Sequence, residues 1–299
     1  MDFVFEVPRF PQQGETLQGF SFARYPGGKG ANQAVAAARL GAHVSFYGKV
    51  GNDLFGQELL QNLKENGVNI EAVEQEQNAP SGIASIWVAE SGKNAIVYVP
   101  GANALVDTTY INLVLSKLAF AQVLLLQLEI PLETIAYALR HLPSKSPLII
   151  LDPAPAQDLS GLLLERVNII TPNWAELVTL TGEKEVEKAA RRLLDLGVGQ
   201  VICKAGAEGA YLITIKSFRH FPAFPVNPVD TTAAGDAFNG ALAVALAEGR
   251  PIEEAIVWAN AAGALATTRK GAQPSLPYRR ELEDFLKTYA QYKKRPQIF

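Results

Sequence analysis

Residues 230–242 read DTTAAGDAFNGAL, and residues 27–34 read GGKGANQA. Each places small residues, able to let a ligand approach the backbone, directly ahead of an alanine-rich helical stretch. In the first, Ala233, Ala234, Gly235 and Asp236 fall at a predicted first helical turn. The N–H groups there have no intrahelical partner, and the helix dipole adds about half a positive charge, so such an end suits an anion. Two readings of Asp236 stay open on spacing alone. It caps the helix and consumes those donors, or it is a base set beside an anion hole. Phosphoryl transfer uses the second arrangement, with donors for the developing charge and a carboxylate for the proton of an attacking hydroxyl. In the second segment Gly27, Gly28 and Gly30 give close approach, while Lys29 and Asn32 offer polar groups. A plain structural turn would use the same glycines.

Two nucleotide motifs are excluded. Gly28-x-Gly30 is followed by Gln33 where the dinucleotide fingerprint needs glycine. Gly28-Lys29, Gly48-Lys49 and Gly92-Lys93 are followed by Gly30, Val50 and Asn94 rather than Ser or Thr, so there is no P-loop.

The elements that position these residues read as α/β. QVLLLQ (122–127), PLIILD (147–152), NIITP (168–172) and VICK (201–204) alternate with amphipathic helical stretches, one opened by Pro131 and one ended at Gly197. That alternation predicts a mainly parallel sheet with helices on both faces. The helix after Asp236 places Ala237, Phe238, Ala241, Leu242, Ala245 and Leu246 on one face and stops at Gly249-Arg250-Pro251. The first hundred residues differ: two β-rich runs flank Ser91-Gly92-Lys93-Asn94, a hairpin signal, and GETLQGFSFARYPGG reads as extended. Inserted strands at about 3–24 and 79–101 are expected to form a small β lid on one 1–299 domain.

Composition bounds the function. The net charge of −3 gives no footprint for nucleic acid or an anionic membrane surface. Cys203 is the only cysteine, which excludes an internal disulfide framework and suits a reducing cytoplasm. The most apolar run is broken by Gln122, Gln127 and Glu129, and His43, His141 and His220 lack metal-ligand spacing. A soluble cytoplasmic protein is expected.

The two glycine-rich segments together resemble the two signatures of the ribokinase-like (PfkB) carbohydrate kinases. LLQLEIPLE (125–133), LDPAPA (151–156), TPNWAEL (171–177), KAGAEGAYL (204–212) and TTRKGAQPS (267–275) follow in the family's order. The resemblance implies a three-layer α/β/α sandwich with a β-sheet lid, and ATP-dependent phosphorylation of D-ribose at O5. The alternatives are another pentose, deoxyribose or a nucleoside as acceptor, or a catalytically impaired sugar- or nucleotide-binding protein. By resemblance Asp236 is the base, with Ala233, Ala234 and Gly235 forming the anion hole. Asp2, Gly28, Lys29, Asn32 and Glu129 hold the sugar with Asp236. Asn173, Lys204, Gly206, Gly235 and Asn260 serve the nucleotide, and Glu176 meets Mg2+ through water. Asp230, Thr232, Ala266, Arg269, Gly271 and Ser275 surround a monovalent cation, K+, and a homodimer forms through the lid. Taken one by one, Glu129 also reads as a strand end, Asn173 as a helix cap, Lys29 as an exposed lysine and Asp230 as a turn residue; Cys203 reads as a buried strand residue. Two departures stand out. Met1-Asp2-Phe3 begins at the end of the family's first sugar-binding turn, so the first strand of the fold is expected to be missing, and TPNWAE replaces the more usual TPNETE.

Overall fold

The computed structural model describes residues 1–145 and 147–294. β1 (Asp2–Val7) and β2 (Ser21–Tyr25) come first, then α1 (Lys29–Arg39), β3 (Lys49–Gly51), α2 (Leu54–Glu65) and β4 (Glu74–Glu76). The hairpin β5 (Ile83–Ala89) and β6 (Asn94–Val99) follows, and then α3 (Thr108–Ala119), β7 (Val123–Leu126), α4 (Leu132–His141), β8 (Leu148–Leu151) and β9 (Ile169–Ile170). The chain continues through α5 (Trp174–Thr181), α6 (Val186–Asp195), β10 (Gln200–Lys204), β11 (Ala210–Ile213) and β12 (Phe218–Phe221). It closes with α7 (Ala234–Ala247), α8 (Ile252–Ala266) and α9 (Arg279–Lys294).

The larger sheet has the order β12-β11-β10-β9-β8-β7, parallel from β7 to β10 and antiparallel beyond. Its parallel strands β7 to β10 are short, mostly apolar runs, as a sheet covered on both faces requires. Alternate residues feed two separate cores. Ile150, Ile169, Ile202 and Leu212 pack with α1, α7 and α8, while Ile149, Leu151, Ile170, Val201 and Cys203 pack with α3, α4 and α6. Those are the three layers that the strand–helix alternation predicts.

A second sheet, β2-β1-β5-β6, is built from the first hundred residues, with β1 and β5 parallel and both outer pairs antiparallel. Its residues are mostly half-buried or exposed, and β6 is exposed along its length. A short parallel pair, β3–β4, stands apart from both sheets. No helix among the described residues is long and apolar enough to cross a membrane.

Candidate active site

Four segments meet at the carboxyl ends of the large sheet: the start of α1, the loop after β7, the end of β10 and the start of α7. α1 begins at Gly28, whose φ of +91° is a left-handed backbone that glycine accepts readily. A Cβ on Gly27 would collide with the Asp2 carboxylate, so glycine there is a matter of space. Close packing continues at Gly240, where a Cβ would run into Ala36 of α1. That contact lets α1 and α7 lie side by side and brings Asn32 and Gln33 against Asp236.

Asp236 is buried, 6% exposed, and does not cap its helix. Its Oδ2 accepts from Asn32 Nδ2 at 2.8 Å and its Oδ1 from Gln33 Nε2 at 3.0 Å. Burial raises its pKa above the ordinary carboxylate value, against the pull of the Lys29 ammonium and the two amide donors. The N-terminus of α7 therefore has no side-chain cap; Ala234 N reaches Thr231 O at 3.3 Å and Ala237 N reaches Ala233 O at 2.8 Å. Ala233 takes φ +59°, the only positive φ at a non-glycine among the described residues. Of the two readings of Asp236, the geometry rejects the cap.

Gln33 is the hub of a wider network. Its Nε2 also donates to Asp152 Oδ2 at 2.8 Å, and its Oε1 accepts from Gln127 Nε2 at 2.6 Å. Asp152 in turn accepts from Lys204 Nζ at 2.8 Å, with the two side chains 2% and 13% exposed. Lys204 extends to the anion hole: a Cβ on Gly235 would lie 3.5 Å from its Nζ. Sequence reading gave no role to Gln33, Gln127 or Asp152. The available signal was polarity out of place: Gln33 on an alanine-rich buried helix, and Asp152 closing an apolar strand.

The expected sugar ligands fall on one side of Asp236. Glu129 Oε2 accepts from the Lys29 backbone N–H at 2.8 Å, and its pKa is raised by burial despite the nearby Lys29 ammonium. Burial works against the Lys29 ammonium as well, but Asp236, Asp152, Glu129 and Glu176 outweigh it and hold its pKa above the ordinary lysine value. Asp2 is raised by burial, opposed by the amino terminus. Asn32 Oδ1 is buried without a partner, an acceptor ready for a hydroxyl. Lys29 and Glu129 are thus neither an exposed lysine nor a solvent-facing strand end.

The other expected residues divide. Asn173 and Glu176 form a full capping box on α5, Asn173 Oδ1 accepting from Glu176 N at 2.8 Å and Glu176 Oε2 from Asn173 N at 2.7 Å. Asn173 is therefore a helix cap, whatever else it does. Burial raises the Glu176 pKa, against Lys204 and the Asn173 N–H. Gly206, at φ +57°, turns the chain after β10, and nothing lies near the position of its Cβ. Asn260 sits in α8 with its Nδ2 donating to the Phe221 carbonyl at 3.1 Å.

Asp230 is more than a turn residue. Its Oδ1 accepts from Thr232 N and Oγ1, and its Oδ2 from Gly271 N at 2.8 Å, which ties the α7 approach to the loop after α8. Burial pushes its pKa up, but these hydrogen bonds outweigh it and leave the value lowered. Arg269 pairs with Glu281, and Ser275 Oγ donates to Ala272 O. The Ala266 carbonyl accepts from Arg269 N at 3.4 Å. Asp230, Thr232 and Gly271 are joined directly; Ala266, Arg269 and Ser275 are not bonded to them. Cys203 is fully buried in β10, and burial pushes its thiol up to about 12, which makes it inert.

The pfkB family carbohydrate kinase model matches residues 1–279. A ribokinase from Bacillus subtilis is 43% identical, covering 96% of this chain and 96% of that protein. One from Haemophilus influenzae is 40% identical over 95% of each. Among solved structures, a Thermotoga maritima ribokinase superposes with a TM-score of 0.86 at 40% identity, covering 96% of both chains. An Arabidopsis thaliana ribokinase complexed with ribose and ATP gives 0.88 at 33% identity, covering 96% of this chain and 95% of that one.

Proposed function

Because the chain belongs to the pfkB family of carbohydrate kinases, we propose that it transfers the γ-phosphoryl group of ATP to O5 of D-ribose, giving ribose 5-phosphate and ADP. One observation carries the reading. A buried carboxylate is held by two amide donors beside a helix N-terminus whose own donors it leaves open.

Each part follows from this chain's groups. Asp2, Gly28, Lys29, Asn32 and Glu129 bind the sugar, with Asn32 Oδ1 as the waiting acceptor. Asp236 accepts the O5 proton as the bond to phosphorus forms. The N–H groups of Ala233, Ala234 and Gly235 hold the charge that develops on the phosphoryl oxygens, where the helix dipole favours it. Lys204 lies against the same turn. Asn173, Gly206 and Asn260 border the nucleotide. No group of three or more His, Cys, Asp or Glu able to hold a metal is present among the described residues. That donor set suits Mg2+ carried on the ATP phosphates and met by one carboxylate, Glu176, through water. Bound there, Mg2+ neutralises phosphate charge.

K+ sits near Asp230, Thr232, Ala266, Arg269, Gly271 and Ser275. Support comes from the Asp230–Gly271 tie, which adjoins the α7 N-terminus through Thr231. A Tm higher in KCl than in tetramethylammonium chloride tests it without turnover. The enzyme is a soluble cytoplasmic homodimer closed by the second sheet. Support for the dimer is the exposed apolar surface of β6 and β2, with Ile96, Val97 and Phe22 each more than half exposed. Sedimentation at micromolar concentration tests the dimer.

The deciding assay is ADP release with Mg2+, K+ and ATP across ribose, deoxyribose, fructose and adenosine. Release that depends on ribose and exceeds the others is expected. Faster release with deoxyribose would overturn the sugar, and no acceptor-dependent release would overturn the kinase.

A further inference from the structure

Gln33 is fully buried on α1, in a run of core residues that continues through Ala34, Val35 and Ala36. Both ends of its amide are in use. The two hydrogens of Nε2 go to two different carboxylates, Asp152 Oδ2 at 2.8 Å and Asp236 Oδ1 at 3.0 Å. Its Oε1 accepts from Gln127 Nε2 at 2.6 Å. A flipped amide would set its oxygen against both carboxylates and its NH2 against that of Gln127, so these partners admit one orientation.

The two carboxylates do different work. Asp236 faces the sugar side, where it is held by Asn32 as well. Asp152 faces the phosphate side, since its Oδ1 accepts from Lys204 Nζ at 2.8 Å. That ammonium lies against Gly235 in the turn that opens α7. It carries three donors, and Asp152 takes one of them. A continuous chain therefore runs Lys204–Asp152–Gln33–Asp236, from the anion hole to the base. Gln33 is its neutral member and the donor that lies between the two negative groups.

Resting on the kinase reading above, we propose that Gln33 is a positioning residue for phosphoryl transfer: through Asp152 it ties the carboxylate that takes the sugar proton to the ammonium beside the anion hole. Fully buried, it reaches no ligand itself. Phosphoryl oxygens arriving at the anion hole draw on the Lys204 ammonium, and Asp152 is left with less of its counter-charge. Asp152 then pulls harder on the shared Gln33 NH2, because hydrogen bonds in such a chain polarise one another. Asp236 Oδ1 gives up part of a donor and becomes a better acceptor. The base is thus strengthened when the phosphate is in place. A glutamine that only satisfied polar neighbours in the core would carry none of this.

The test is a double-mutant cycle on kcat and KM with Gln33→Met, close in volume but without the amide, and Asp152→Asn, which removes the charge that links Gln33 to Lys204. Each single variant is expected to lower kcat about tenfold to a hundredfold, the effect of disturbed positioning. KM for both substrates should stay within about threefold, since the groups that bind them are untouched. The double variant should be no slower than the poorer single one, because the two residues act as a unit. Losses that multiply, or a Gln33→Met kcat within about twofold of the parent, overturn the proposal. Should Gln33→Met fail to fold, Gln33→Asn, one methylene too short to span both carboxylates, takes its place in the cycle. The parent's own rate decides the kinase reading, and the ratios between variants decide this one. If the parent turns over no acceptor, calorimetry of ribose binding with and without Mg2+ and a non-hydrolysable ATP analogue replaces the assay. The analogue is then expected to tighten ribose binding at least about threefold in the parent and clearly less in the Gln33 variant. Equal tightening in both overturns the proposal, as does none in either.

Discussion

α5 and α7 both carry an acidic residue three positions after the N-cap, and use it in opposite ways. On α5, Glu176 reaches back to the N-cap N–H while Asn173 covers Glu176 N, so the helix end is closed by its own side chains. On α7, Asp236 turns away to Asn32 and Gln33, and Ala233 at the N-cap offers no side-chain acceptor. The same sequence position thus gives a closed end in one helix and an open end in the other. What differs is the neighbour: α1 packs against α7 closely enough, at Gly240 and Ala36, to hold out two amide donors. A helix end becomes an anion site when another element claims its carboxylate.

The most direct way to break this comparison is Asp236→Asn, which keeps the shape and removes the base. Turnover should fall by about 10²–10⁴-fold, the usual worth of a positioned base, with sugar binding retained. Near-normal activity would remove Asp236 from that role. Stability should move the other way. The folded pKa of Asp236 lies above its unfolded value, so between the two the folded state binds more protons than the unfolded state. The carboxylate's contribution to stability therefore declines as pH rises through that window and is least favourable at neutral pH. Asp236→Asn should raise Tm at pH 7, and kcat/KM of the parent should fall as pH is lowered through the raised pKa.

Lys204→Met tests the far side of the open end. It leaves the Asp152 carboxylate, 2% exposed, without its cation. Removing one partner of a buried pair costs about 3–5 kcal/mol, read as a large drop in the urea midpoint. Adding Asp152→Asn should recover most of it, since Gln33 can still bond to that position through its own amide. If the double variant stays as unstable as the single one, the pair is not what holds this end of β10.

The contrast between the helix ends was half legible in the sequence. DTTAAGDAFNGAL marks a helix start with an acid, and spacing alone left Asp236 between cap and base. Asn173 followed by Glu176 three residues later reads directly as a cap, because both partners lie within one turn. The α7 answer depends on Asn32 and Gln33, some two hundred residues away, and no local pattern states that contact. Asp152 and Gln127 went unread for the same reason: each looks like the polar end of an apolar strand until Gln33 arrives. The strands β7 to β10 and the helices α4 and α7, set by local periodicity, were legible; so was the hairpin around Ser91-Gly92.

Breaking the closed end should cost less. Asn173→Ala removes one acceptor of the capping box and should destabilise the protein by about 1 kcal/mol, within the usual 0.5–2 range. The Glu176 backbone N–H would lose its acceptor, while the Glu176 carboxylate would keep the backbone N–H of residue 173. Thermal unfolding reads the change, and a loss above about 3 kcal/mol would mean that the Asn173 side chain supports more than α5.

The smallest effect is expected where the open end begins. Ala233 at φ +59° carries left-handed strain of about 1–2 kcal/mol that glycine does not. Ala233→Gly removes that strain but enlarges the freedom of the unfolded chain, which costs about 0.4–1 kcal/mol. The two terms oppose, so Tm should change little or rise slightly. Activity carries the sharper reading. If the Ala233 methyl serves only to stiffen the turn, the glycine variant keeps the open N–H groups and its kcat falls less than about tenfold. A loss as large as that of Asp236→Asn would mean that the turn's rigidity, rather than the absence of a cap, keeps the end of α7 aimed at its anion.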